Sequence, residues 1–205
     1  MFENTDVIQI DLSTISKFYR RSDIWVVYFF NPKTKKCQDF KSEYVTLAEK
    51  FYGIISVAAI DCLNEEELCE EFGVYDIPQI MIFSEKFSDD GERFNDKLEW
   101  QTIGNAAARK MQNFVSIVSA DNFDTFLNRD STKHHVLLFT DKKSTPVIYK
   151  ALSKRFLDKL VFGEVRTSDK ELINRFGISE FPSLLVLTDT NGLGTVKYTG
   201  ENKVD

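Results

Sequence analysis

The sequence predicts an α/β protein built as two similar domains in tandem, each reading β-α-β-α-β, the second without a closing helix. Three observations carry this. Residues 64–78 and 168–182 match without gaps, at a constant offset of 104. Each stretch ends in an X-Pro pair, Ile77-Pro78 or Phe181-Pro182, directly before an apolar run. The apolar runs are nearly continuous, as buried parallel strands are. A chain of 205 residues has room for two domains of ordinary size. Two units of this length are too few and too large for a solenoid.

The first half opens with a strand at residues 26–30, then a helix at 37–51 and a strand at 55–60. The repeat follows: Asn64 is a candidate N-cap with Glu67 three residues on, and Gly73 stands where a left-handed C-cap ends the helix. A strand at 79–83 and a closing helix at 106–115 complete this half. The second half opens with a helix at 121–127 and a strand at 136–140. Thr145 offers a capping hydroxyl before Pro146 at the first helical position, predicting a helix over 146–157. A strand at 160–165 leads to a helix capped by Ser168 with Glu171 and stopped at Gly177, then to a strand at 183–187, and the half ends after residues 195–198 without a closing helix. The join falls near Ser119, giving domains 1–118 and 119–205.

Composition narrows the function. Hydrophobic residues make up 42% and aromatics 13%, with eighteen Phe, so well-filled cores are expected. Net charge is −6 with no basic stripe, which argues against an electrostatic grip on nucleic acid. No window reaches the length of a transmembrane helix, so no membrane insertion is expected. Residues 1–6 lack the basic-then-apolar build of a signal peptide, and 201–205 carry no retention signal. That leaves a cytosolic protein or an internal piece of a longer one. Three cysteines cannot all pair with one another, so their count alone does not fix the compartment.

The chemistry-bearing motif is Thr34-Lys35-Lys36-Cys37, which follows the strand at 26–30 and Asn31-Pro32 and opens a helix. With Phe29-Phe30 ahead of it, the segment resembles the Phe-Tyr-Ala-Pro-Trp-Cys-Gly-His-Cys active site of the protein disulfide isomerase branch of the thioredoxin fold. The resemblance covers nearly the whole chain and implies two tandem thioredoxin-like domains. Tandem modules of this kind also occur in endoplasmic reticulum (ER) J-domain proteins, a candidate parent. A thiol–disulfide cycle needs one thiolate to attack and a second thiol to resolve. Thr34 stands at the nucleophile position and Cys37 at that of the resolving cysteine.

Further departures point the same way. The family's active members carry a buried proton-relaying Glu where this chain has Tyr28. They carry an Arg two residues beyond a Gly after strand five; counting from Gly104 gives Ala106. The second half keeps Pro182 but has no cysteine. The resemblance therefore implies a redox-inactive pair. Residues Pro32, Thr34, Ile77 and Pro78, with Phe181 and Pro182, would form a client-binding edge beside the two prolines, which the family holds in cis. Core packing explains Ile77 and Phe181 equally well.

The family resemblance also implies a structural disulfide between Cys62 and Cys69, whose spacing of seven allows closure of a short loop. The alternative is two unrelated thiols. A zinc site is not expected, because His134 and His135 lie in the other half; they begin a strand and read as capping or solvent-facing. Cys37 is either a residual reactive thiol or a packed, inert one. Lys33, Lys35 and Lys36 and the helix N-terminus would favour thiolate, while burial would oppose it. The expected partners are unfolded or client polypeptides and other ER folding factors, the compartment the ER lumen with the cytoplasm as alternative, and no cofactor is called for.

Overall fold

The computed structural model describes residues 1–86, 90–189 and 194–199. The C-terminal residues read above for a retention signal lie outside the described residues. Contacts divide the chain into two units, Met1–Met111 and Gln112–Lys203.

The first unit runs β1 (Ile8–Ile10), α1 (Ser16–Tyr19), β2 (Trp25–Phe30), α2 (Lys35–Lys50), β3 (Ser56–Asp61), α3 (Glu66–Glu71), β4 (Gln79–Phe83), β5 (Glu92–Arg93) and α4 (Trp100–Lys110). Its sheet order is β1-β3-β2-β4-β5. β1 and β2 flank β3 in parallel, while β4 and β5 run antiparallel to their neighbours. The sheet is thus mixed rather than purely parallel. β1 and α1, with three and four residues, are too short to show a period in the sequence.

The second unit runs β6 (Val115–Ile117), a 3₁₀ turn (Ala120–Asn122), α5 (Phe123–Leu127), β7 (His134–Thr140), α6 (Val147–Arg155), β8 (Leu160–Arg166), α7 (Lys170–Arg175), β9 (Ser183–Leu187) and β10 (Thr195–Lys197). Its order, β10-β9-β7-β8-β6, is the order of the first sheet written from the other end. The sequence reading closed the first domain at 118. In the structure β6 already pairs in parallel with β8, so residues 115–117 extend the second sheet instead of the first domain's closing helix.

Central strands are buried on both faces. All six residues of β2 are buried. Val26, Tyr28 and Phe30 alternate toward the side holding α2 and α4, Trp25, Val27 and Phe29 toward the side holding α1 and α3. On the second side Phe18 meets Phe83, Trp25 and Phe72 edge-on, with centroids 4.8, 5.7 and 5.4 Å away. Each such ring stabilises the core by about 1.5–3 kcal/mol through burial.

Two tyrosines fasten the long helices to their sheets. Tyr44 of α2 shares its one hydroxyl proton between the carbonyls of Val26 (3.0 Å) and Ala58 (2.6 Å). Tyr149 of α6 does the same with Val136 (3.1 Å) and Gly163 (2.8 Å). The helices therefore superpose in role, although α2 has sixteen residues and α6 nine.

The repeated helices α3 and α7 end as the glycines demand. Gly73 and Gly177 adopt positive φ (66° and 62°). The following N–H groups of Val74 and Ile178 donate back to Cys69 and Ile173, and those of Gly73 and Gly177 to Glu70 and Asn174, which closes both helices in Schellman geometry. Their starts differ from the sequence reading. Asn64 does not cap α3; its amide donates to Asp61, and Glu65 holds the cap position with its carboxylate accepting from the Leu12 N–H rather than from the helix. Asp169, not Ser168, caps α7 by accepting from the Leu172 N–H at 2.9 Å. Pro146 is the N-cap of α6, and the Thr145 hydroxyl turns inward to Glu164 instead.

Candidate functional site

The motif at 34–37 sits where β2 hands over to α2. Asn31 shapes the loop: its carbonyl accepts from the Thr34 N–H and from the Thr34 hydroxyl (both 3.1 Å), and its side chain accepts from the Lys33 N–H (2.9 Å). Thr34 is the extended N-cap of α2, half-buried, with its hydroxyl spent on Asn31 rather than on the helix. Lys33, Lys35 and Lys36 are exposed, and the first turn of α2 has no acid to offset them.

Cys37 is fully buried. Its sulfur accepts from the Asn31 N–H at 3.5 Å. Tyr28 lies alongside, equally buried, within a nest of Phe2, Phe30, Phe40 and Tyr44 rings. Its hydroxyl has no hydrogen-bond partner among the described residues. Burial first, and Cys37 beside it second, push the phenol's pKa far above the ordinary range. The hydroxyl stays neutral at any working pH and moves no proton, unlike a carboxylate at this position. A buried thiol lacks the access that exchange requires.

Ile77 is half-buried and packs toward the same core as Cys37 and Tyr28, and the Ile77-Pro78 bond is cis. Pro32 is half-buried and its carbonyl accepts from the Gln38 side chain at 2.8 Å. Phe181-Pro182 is also cis, with Phe181 half-buried and Pro182 exposed, but it belongs to the second unit. Cys62 and Cys69 are joined, with Cα atoms 5.8 Å apart, tying the end of β3 to the second turn of α3. A bridge over so short a loop contributes about 2–3 kcal/mol.

Two sequence placements need correction. Gly104 lies inside α4, not in the loop after β5, so Ala106 is a helix residue packed toward the core and marks no site. The loop after β5, residues 94–99, carries Lys97 and no Arg. His135 does not face solvent: it is buried, edge-on to Phe126, with Nε2 unpartnered among the described residues, while His134 is exposed.

His135 is expected to make the second unit sensitive to acid. Burial lowers its pKa below 6.5, against smaller opposing effects from the Phe126 backbone, the Asp130 carboxylate and the Lys133 backbone. A depressed histidine contributes stability that is fully present above about pH 6.5 and lost as pH falls through its lowered value. Amide exchange of β7 is expected to quicken as pH drops below 6.5, after correction for intrinsic rates. The substitution His135→Phe is expected to remove that dependence.

The second unit also holds a buried carboxylate. Glu164 of β8 is fully buried. Its Oε1 accepts from the Thr145 hydroxyl (2.7 Å) and from Arg166 Nη2 (2.5 Å), while Oε2 has no partner among the described residues. Arg166 also donates to the Lys142 carbonyl. Glu164 and Arg166 are two apart on one strand and so share a face, a signal present in the sequence.

Known proteins match in the same two blocks. The family described as Thioredoxin matches residues 10–106, and that described as A6-like, middle domain, matches residues 110–204. A Dictyostelium discoideum chain named as a protein disulfide-isomerase is 32% identical over 97% of this chain and 50% of its own length. The chain is a tandem of two thioredoxin-fold domains, homologous to the protein disulfide-isomerases. The DnaJ protein ERDJ3A of Oryza sativa subsp. japonica is 23% identical over 78% of this chain and 29% of its own length. The crystal structure of full-length ERdj5 superposes with a TM-score of 0.67 at 17% identity, covering 96% of this chain and 31% of that one, a likeness of fold. The chain spans half or less of the length of these curated relatives.

Proposed function

We propose that this chain is a redox-inactive, disulfide-isomerase-like module that binds client polypeptides among the folding factors of the ER lumen. One observation carries the reading: a fold homologous to disulfide isomerases keeps its frame while Thr34 replaces the attacking sulfur and Cys37 is sealed beneath it. Tyr28 beside that sulfur offers no proton relay, and the second unit has no cysteine. The two cis X-Pro corners, with Ile77, Pro32 and Thr34 in one unit and Phe181 in the other, are the proposed client edges. The Cys62–Cys69 bridge supports an oxidising compartment, where such bonds persist. Names of relatives that include protein disulfide-isomerase and a DnaJ protein support the same setting.

An insulin-reduction assay with dithiothreitol tests it. Turnover is expected at the uncatalysed rate, identical in Cys37→Ser. Turnover above that rate which vanishes in Cys37→Ser would instead make this a monothiol oxidoreductase.

A further inference from the structure

The first unit gathers three segments at one end of its sheet. Phe29 of β2 stands opposite Gln79 of β4, so the loop leaving β2 runs beside the Ile77-Pro78 corner. The Cys62 N–H donates to the Phe30 carbonyl at 2.8 Å, which brings the end of β3 alongside. This end exposes two large apolar side chains, Leu63 at 42% and Tyr75 at 78%.

Charge at this end is divided between the two sides of the sheet. On the α2 side, Lys33, Lys35 and Lys36 are exposed, and among the described residues none forms an ion pair, although Asp39 follows Lys35 by four. On the α3 side, Glu66, Glu67 and Glu70 are exposed, and Asp76 is exposed directly before the corner. Stability does not account for the lysines. Exposure removes them from packing, and a cation at a helix N-terminus opposes the dipole, which no acid in the first turn of α2 offsets. A local rule broken without a gain in stability marks a functional surface. In the disulfide-isomerase motif the same three positions hold Trp, Gly and His, so no shared backbone requirement puts lysine there.

The second unit shows the same corner with its charges balanced. Its loop at 141–146 holds Lys142 and Lys143 with Asp141, where the loop at 31–36 holds three lysines and no acid. Glu180 precedes Phe181-Pro182 as Asp76 precedes Ile77-Pro78, and both acids are exposed. The nearby Arg166 is taken up by Glu164 and the Lys142 carbonyl.

We propose that the client edge of the first unit selects extended polypeptide segments by their acidic side chains. The proposal rests on the client-edge reading above and adds the class of client. Lys33, Lys35 and Lys36 take the carboxylates on the α2 side, while Tyr75 and the Ile77-Pro78 corner take apolar side chains. The carboxylates of α3 and Asp76 repel acid on the far side, which sets the way round the segment lies. The second unit, with its balanced loop, lacks this preference.

One unstructured peptide in three versions tests it, with Val and Ser positions fixed and the remaining positions all Glu, all Gln or all Lys. Titrated onto the full chain at low salt, the Glu version is expected to bind at least about tenfold tighter than the Gln version, as three exposed ion pairs together provide. High salt is expected to close that gap. The Glu version is expected to slow amide exchange at residues 31–38 and 77–79, and to leave 141–147 unchanged. The triple substitution Lys33→Glu, Lys35→Glu and Lys36→Glu suits the helix dipole, so the fold is expected to persist, as thermal unfolding checks. It is expected to erase the preference for Glu and to favour the Lys version. Equal binding of the three versions, with protection at 31–38 and 77–79, would overturn the acidic class and leave the client edge standing. Absence of protection by any version would overturn the client edge itself. A preference for Glu that survives the triple substitution would overturn the proposal. So would a short DNA oligomer that protects this loop as well as the Glu version does, which would make it a general polyanion surface.

Discussion

Replacing Tyr28 by alanine is expected to destabilise the first unit by about 3–5 kcal/mol, the range for deleting a large aromatic from a close-packed core. The side chain is fully buried, edge-on to Phe2 (6.3 Å between centroids) and Phe40 (5.3 Å), and tilted against Tyr44 (4.9 Å). The phenylalanine substitution separates ring from hydroxyl. Because that hydroxyl is buried without a hydrogen-bond partner, Tyr28→Phe is expected to leave stability unchanged or raise it by up to about 1 kcal/mol. Urea denaturation of the two variants reads both effects. A loss of more than about 1 kcal/mol in Tyr28→Phe would mean that the hydroxyl holds the Cys37 sulfur in place.

Replacing Glu164 by alanine is the second large effect, about 3 kcal/mol lost from the second unit. The substitution leaves the buried Thr145 hydroxyl without its acceptor and opens space between β8 and the loop before α6. Arg166 suffers less, because its side chain is 22% exposed and it retains the Lys142 carbonyl. Since the two charges meet directly, their deletions are not additive. The double substitution Glu164→Ala with Arg166→Ala is expected to cost less than the sum of the single ones, by about 1–2 kcal/mol. Thermal unfolding of the four chains gives that coupling. A sum that adds exactly would show the pair to be energetically independent.

How legible was this molecule in its sequence? The repeat at offset 104 placed α3, α7, both X-Pro corners and the strands β4 and β9, because helix stops at Gly and Pro-bounded apolar runs are local signals. Caps were harder. Ser168 and Asp169 both accept hydrogen bonds well, and only the backbone geometry selects Asp169. The β1 and β6 strands owe their existence to a neighbouring strand rather than to their own pattern, so three residues of each gave no warning. The helix repeat from Tyr44 and Tyr149 was readable, but it runs at offset 105 while the preceding strands run at 110. The shorter loop-to-helix passage of the second unit hides the match.

The site divides in the same way. Thr34 and the cysteine-free second half are facts of sequence. The burial of Cys37 and the silent hydroxyl of Tyr28 depend on rings brought from Phe2, Phe40 and Tyr44, which no local pattern brings together. Counting from Gly104 led to Ala106 because a glycine that serves helix packing reads the same as one that serves a loop. Glu164 escaped notice because a strand residue's depth depends on what covers it.

The account rests on Cys37 being sealed and inert, and its rate of alkylation tests that directly. With iodoacetamide near neutral pH, the native chain is expected to leave Cys37 unmodified until denaturant unfolds the first unit, with labelling tracking global unfolding. Rapid labelling of the folded chain at pH 7 would contradict it, showing an open, ionised thiol beneath Thr34.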